Sequence, residues 1–224
     1  LYQPEEAENY DLGLLMQKSN LIGRDDLLAK ITYFDTSVDN VLETLNSDPS
    51  NPLTQVGTET RDGIEVEMNY QRERSSFNIS YSKINGEQKG YWVENSNLPG
   101  LSFQDVTKQS RPIYDIPGDT LSLAANYVFY EFNLDVGWRG SFVGKRKVLS
   151  EAGSRDATEV TLDSYAVHDI FANWRPFKNS QFSNSVFRFG IDNVTNKRYQ
   201  LNEEDTAGSF SVARNVKMTF DLNF

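Results

Sequence analysis

Cysteine is absent from the 224 residues and histidine occurs once. Such a chain cannot build a disulfide framework or a thiolate metal site, and it has almost no material for a Ser-His-Asp or Cys-His nucleophile. No G-x-S-x-G turn is present, so the common hydrolase elbow is missing too. Positive charge is scarce, with 22 Lys plus Arg against 32 Asp plus Glu and a formal net charge of -10. Without a basic surface to neutralise phosphates, the composition argues against a nucleic-acid partner. No apolar run approaches the roughly 18–20 residues that a helical membrane span needs. No charged start followed by an apolar core marks a secretion signal. The chain opens at Leu1-Tyr2-Gln3-Pro4-Glu5, which reads as the middle of a longer protein.

A mean hydropathy of -0.57 would suit a soluble acidic protein, but it suits membrane strands equally. A barrel strand alternates a lipid-facing apolar residue with a lumen-facing polar one, so its average stays near or below neutral. Aromatics make up 12% of the chain, with 14 Phe and 11 Tyr.

Alternation with period two runs almost from end to end. Towards the C-terminus Val212, Arg214, Val216, Met218, Phe220, Leu222 and Phe224 share one face, and Ser211, Ala213, Asn215, Lys217, Thr219, Asp221 and Asn223 the other. A slip of one residue would invert both faces, so the pattern fixes its own register. The same reading predicts about nine strands, near 9–18, 27–41, 58–72, 75–88, 118–130, 132–146, 162–175, 182–195 and 209–224. Short connections at 19–26, 72–75, 130–132 and 176–181 alternate with long ones at 42–57, 89–117, 147–161 and 196–208. Short periplasmic turns and long extracellular loops alternate in this way in outer-membrane barrels. A soluble sandwich gives no reason for every second loop to be long. Since bacterial single-chain barrels use an even number of strands, upstream strands are expected.

Several segments carry a family resemblance. Leu1 with Pro4-Glu5 and then Tyr10-Asp11-Leu12-Gly13 resembles the L-x-P-E…Y-E-L-G segment of TonB-dependent receptors, and Gly63-Ile64-Glu65-Val66-Glu67 their G-V-E-L-E strand. Gly190-Ile191-Asp192-Asn193-Val194, followed by Asn196-Lys197-Arg198-Tyr199, resembles their C-terminal signature, with Val194-Thr195 replacing the usual Leu-Phe. Phe220, Leu222 and the terminal Phe224 resemble the signal read by the barrel-assembly machinery. The resemblance implies an all-β, antiparallel transmembrane barrel in the outer membrane of a Gram-negative bacterium. This chain would supply the last nine of about 22 strands. The plug, the TonB box and the earlier strands would lie upstream, and the partners would be TonB, the assembly machinery and outer-membrane lipid. Tyr165-Ala166-Val167-His168-Asp169-Ile170-Phe171-Ala172 resembles a strand common in haem receptors and found also in siderophore receptors. The transported ligand would then be haem, a haemoprotein or a ferric siderophore. The FRAP and NPNL motifs of haem receptors would also sit upstream. A passive porin and an outer-membrane enzyme are the competing readings.

His168 invites a role as a haem ligand, but strand parity sets it with Ala166, Ile170, Ala172 and Trp174 on the lipid face. It reads as an interfacial side chain. Lumen parity falls to Glu65, Glu67, Arg139, Asp169, Arg188 and Asp192, which either contact the plug or pair with each other along a solvated wall. Tyr91, Trp92, Phe103 and Tyr114, in the longest loop, are candidate ligand contacts, because binding residues gather on loops carried by rigid scaffolds. Glu203-Glu204-Asp205 has no calcium-loop spacing and reads as a solvated loop tip.

Overall fold

Apart from one separate two-stranded hairpin, the strands hydrogen-bond to their neighbours in one curved sheet. In the computed structural model, residues 3–44, 53–89, 110–113, 116–150, 158–177, 180–200 and 210–223 are described. The strands are β1 (Glu6–Ser19), β2 (Asp25–Thr44), β3 (Leu53–Arg72), β4 (Ser75–Lys89), β5 (Ser110–Pro112), β6 (Thr120–Phe129), β7 (Leu134–Val143), β8 (Arg146–Ser150), β9 (Thr158–Leu162), β10 (Tyr165–Trp174), β11 (Val186–Asp192) and β12 (Asn215–Asp221). The main sheet is 10-stranded, with the path β1-β2-β3-β4-β6-β7-β10-β11-β12 and β5 paired off β4. The pairings are antiparallel throughout. A meander of this kind is what alternating short and long connections dictate.

The register sorts the side chains into two faces. Leu14, Ile31, Val66, Tyr81, Leu121, Phe142 and Ala166 stand directly opposite one another in sequence across seven strands. Lys30, Glu67 and Ser80 form a row on the other face. The apolar face is bare: Leu12 is 73%, Leu14 72% and Met218 77% exposed. Among the described residues the buried hydrophobic side chains are Val148, Leu162 and Val186 alone. A water-soluble chain of this length would bury a core and would not leave so large an apolar surface open. The apolar face is therefore built to meet lipid. Past Tyr33 and Ile64 the same outward parity carries Asp35 and Asp62, which face each other across β2 and β3.

Turn chemistry closes the short ends. Asn20 (φ 58°) and Gly23 (φ 136°) take left-handed conformations between β1 and β2, and Asn133 (φ 51°) does so between β6 and β7; glycine and asparagine tolerate that region best. Asp25 is 4% exposed. It accepts from the Leu21 amide at 2.6 Å, the Ile22 amide at 3.0 Å and the Tyr70 hydroxyl at 2.8 Å. Asp25→Ala strands three donors, so the variant should unfold at lower urea concentration than the parent. Tyr70→Phe, which loses one donor, should fall between them. An Asp25→Ala midpoint equal to the parent's would refute this account of the turn.

The sequence places the main strands correctly but differs in several details: β2 and β3 run further into the predicted loop 42–57. Residues 110–112, read as loop, form β5, which extends the ladder along Glu87–Lys89. Within the predicted loop 147–161, β8 and β9 make a separate hairpin that buries Val148 and Leu162. The last strand starts at Asn215, well after 209, because the backbone before it is tied elsewhere. The Ser211 amide donates to the Tyr199 carbonyl at 2.8 Å, and the Arg214 amide to Asn196 Oδ1 at 2.9 Å. The turn before β11 runs to Ser185, longer than expected, since Ser183 and Ser185 donate back to Ser180 and Phe182.

Candidate functional site

The face opposite the lipid-facing one forms a concave wall, and the predicted charges lie on it. Glu65 stands opposite Thr32 and Ser82, and Glu67 opposite Lys30 and Ser80. Arg139 faces Asp169 directly across β7 and β10. Arg188 pairs with Asp221, and Lys217 with Asp192, in diagonal ion pairs between β11 and β12. Arg188 and Asp192 are therefore already engaged along the wall, whereas Glu65 and Glu67 have no ion pair within 4.0 Å among the described residues. Such solvated pairs each contribute about 0–1 kcal/mol, so their arrangement matters more for the local field than for stability. A recess on this wall is lined by Leu15, Leu28, Lys30, Glu67, Asn78 and Arg139.

His168 lies on the lipid side. Its ring stacks on Trp138 at 5.8 Å between centroids and meets the edge of Phe142 at 5.5 Å. Its nearest neighbours on the row, Gly140 and Leu123, carry no metal-ligating atom. At the opposite end of the strands Trp174, Phe187 and Phe220 build an aromatic band, with Phe187 stacked on Phe220 at 4.2 Å. Bands of this kind flank the apolar belt of membrane barrels.

Tyr91, Trp92, Phe103, Tyr114 and Phe224 lie outside the described residues. Two features escaped the sequence reading. Asn193, 4% exposed, organises the last loop: its Nδ2 donates to the Lys197 carbonyl at 2.8 Å and the Val212 carbonyl at 3.3 Å, while its Oδ1 accepts the Lys197 amide at 2.8 Å. Its own amide donates to Asp169 at 2.8 Å. The Asp-Asn dipeptide of the C-terminal signature thus knots a loop. The second feature is a group of apolar side chains on the concave wall near its outer end, where Phe34 lies over Gly63. A run of aromatic, glycine and isoleucine on lumen-parity positions was the available signal. Beyond the apolar belt, the Ser110 hydroxyl donates to Glu87 and holds that carboxyl below its usual range, against the effect of burial and with help from Lys89.

An antiparallel wall, apolar towards lipid and polar within, with alternating short turns and long loops, defines a transmembrane barrel of the outer-membrane type. The sequence matches the family described as TonB dependent receptor-like, beta-barrel, over residues 2–194, and the chain belongs to that family. The family is one of transport receptors in the outer membranes of Gram-negative bacteria. Among curated proteins the chain is 24% identical over 207 residues to TonB-dependent heme receptor A of Haemophilus ducreyi, covering 90% of this chain and 26% of that protein. It is 22% identical over 202 residues to the hemin receptor of Yersinia pestis, covering 88% of this chain and 26% of that one. It therefore spans about a quarter of the length of these relatives. Among solved structures, the FrpB iron transporter from Neisseria meningitidis superposes with a TM-score of 0.74 at 21% identity, over 100% of this chain and 32% of that one. The pyoverdine outer membrane receptor of Pseudomonas aeruginosa gives 0.72 at 21% identity, over 100% and 30%. At such identities these two show the fold alone.

Proposed function

We propose that this chain is the C-terminal part of the barrel of a TonB-energised receptor that imports a scarce iron-bearing ligand, haem or a haemoprotein before a ferric siderophore. The observation that carries this reading is the polar, concave wall on a chain whose curated relatives are haem receptors. In this proposal the barrel does no chemistry. A plug encoded upstream fills the lumen, TonB pulls on it, and the ligand passes along the wall. Glu65 and Glu67 serve as plug contacts, since no basic side chain ion-pairs with them among the described residues. Arg139, Asp169, Arg188 and Asp192 hold the strands' own field in place. Tyr91, Trp92, Phe103 and Tyr114 contact the ligand outside. Phe220, Leu222 and Phe224 form the signal for barrel assembly.

A strain that lacks this gene and other haem uptake systems should fail to grow on haemin or haemoglobin as sole iron source. A plasmid copy should restore growth in a strain with TonB and not in one without it. Undiminished growth of the deletion strain on haemin and on ferric siderophores alike would overturn the uptake reading.

A further inference from the structure

We propose that Phe34, Ile84, Ile113 and Ile116, with Arg61 just outside them, form a seat on the inner wall of the mouth for a planar apolar ligand bearing carboxylates, the haem class. The inference rests on the uptake reading above and narrows its ligand.

Position comes first. Phe34 and Gly63 are directly opposed, as are Gly63 and Ile84, so all three share the concave face. Gly86, two residues beyond Ile84, is on the same face opposite Arg61. Ile113 and Ile116 follow β5 in the chain. The Ile113 amide donates to the Gly86 carbonyl at 3.1 Å. Ile113 and Ile116 then lie directly over Gly86: a Cβ built there would meet their Cδ1 atoms at 2.9 and 2.0 Å. At Gly63 the same construction meets the Lys83 carbonyl oxygen first and then Phe34 Cζ at 2.6 Å. Glycine at both positions lets the apolar groups lie flat on the backbone, where any side chain would displace them.

The surroundings make this group unusual. Its neighbours on the concave face are Thr36 and Ser82, with Glu65 one position deeper. On a wall facing water, a contiguous patch of one aromatic and three aliphatic groups is unfavourable unless something covers it. All four remain half-buried and so keep surface to offer. A hydrophilic ferric chelate gains nothing from such a patch, whereas a flat macrocycle gains the burial of its whole face.

Charge selects the rest of the ligand. Arg61 is exposed and uses one terminal nitrogen for Glu59 at 2.6 Å. A guanidinium has five donors in a fork suited to carboxylates, so further edges stay open beside the apolar patch. An apolar face with a guanidinium at its rim matches an amphiphile whose acids lie along one edge.

The test uses the full-length receptor in detergent, titrated with haemin, metal-free protoporphyrin and haemin dimethyl ester by quenching of tryptophan fluorescence. The unmodified receptor should bind haemin and the metal-free ring alike, and the ester about tenfold more weakly, the scale of one charge-assisted contact. Arg61→Gln should erase the difference between acid and ester. Ile113→Asn combined with Ile116→Asn should weaken all three ligands about tenfold or more. Heat-modifiable gel mobility reports whether each variant is folded; if one is not, the acid-to-ester comparison on the unmodified receptor decides. Equal binding of acid and ester, or full haemin affinity in the folded double variant, overturns the seat. Uptake of a ferric siderophore without haemin binding overturns the seat and leaves the uptake reading standing. Failure with every iron ligand overturns that reading instead.

Discussion

Replacing Leu123 with Arg should cost the folded barrel about 2–4 kcal/mol, the scale for a cation on the lipid face near the bilayer midplane. Replacing its neighbour Ser122 with Arg should change stability by only about 0.5 kcal/mol or less. Leu123 stands in a row with Met68, Ile79 and Gly140, all on the lipid side, near the middle of β6. Ser122 is flanked by Ser80 and Ser141 on the concave wall. A guanidinium from position 122 meets water, whereas one from position 123 meets hydrocarbon that offers no hydrogen bonds. Urea unfolding of the two receptor variants in lipid bilayers measures the difference. Similar midpoints for the two would mean that the faces are assigned wrongly.

Gly137→Val should be the other severe change. Phe171, directly opposite on β10, lays its ring over Gly137, so that a Cβ there would stand 2.1 Å from its Cζ. Any side chain must push the ring off the wall or part the strands. Overpacking of this kind costs about 1–3 kcal/mol, and the added branch at Cβ leaves little rotamer freedom to escape it. Pairing Gly137→Ala with Phe171→Ala should recover most of the loss suffered by Gly137→Ala alone, because the clash has a single partner. If the double variant is no more stable than the single one, the ring is not the obstacle.

Much of the wall was legible in the sequence for a simple reason. Period-two alternation is a direct imprint of a sheet with lipid on one side and water on the other. Leu12, Leu14 and Met16 announce that face without any tertiary knowledge. So do the parity of His168 and the lumen placement of Arg139 and Asp169. Features that depend on two distant segments meeting stayed hidden. Nothing local in Ile113 or Ile116 says that they will fold back over Gly86, and nothing in Ser211 says that its amide will bond Tyr199 and delay the last strand. The charges show the same limit. Composition supplies Arg188, Asp192, Lys217 and Asp221, but only the register reveals that they pair diagonally. The partners open to a plug or ligand were therefore not decidable from alternation.

The acidic residues that follow the apolar ones on the outward parity of the first strands also set how deep the barrel floats. On β1 the outward series changes from Tyr10 to Glu8, on β2 from Tyr33 to Asp35, and on β3 from Ile64 to Asp62. Asp35 is opposite Asp62 and Tyr10 is opposite Asp35, so the change lines up on β2 and β3 and falls one outward position further on β1, a waterline with a single step. Sinking the wall by one outward position would carry Asp35 and Asp62 into hydrocarbon together, and raising it would lift Tyr33 and Ile64 into water. Both displacements are uphill at once on neighbouring strands. The immersion depth is therefore written into the hull itself, independently of whatever the loops above it hold.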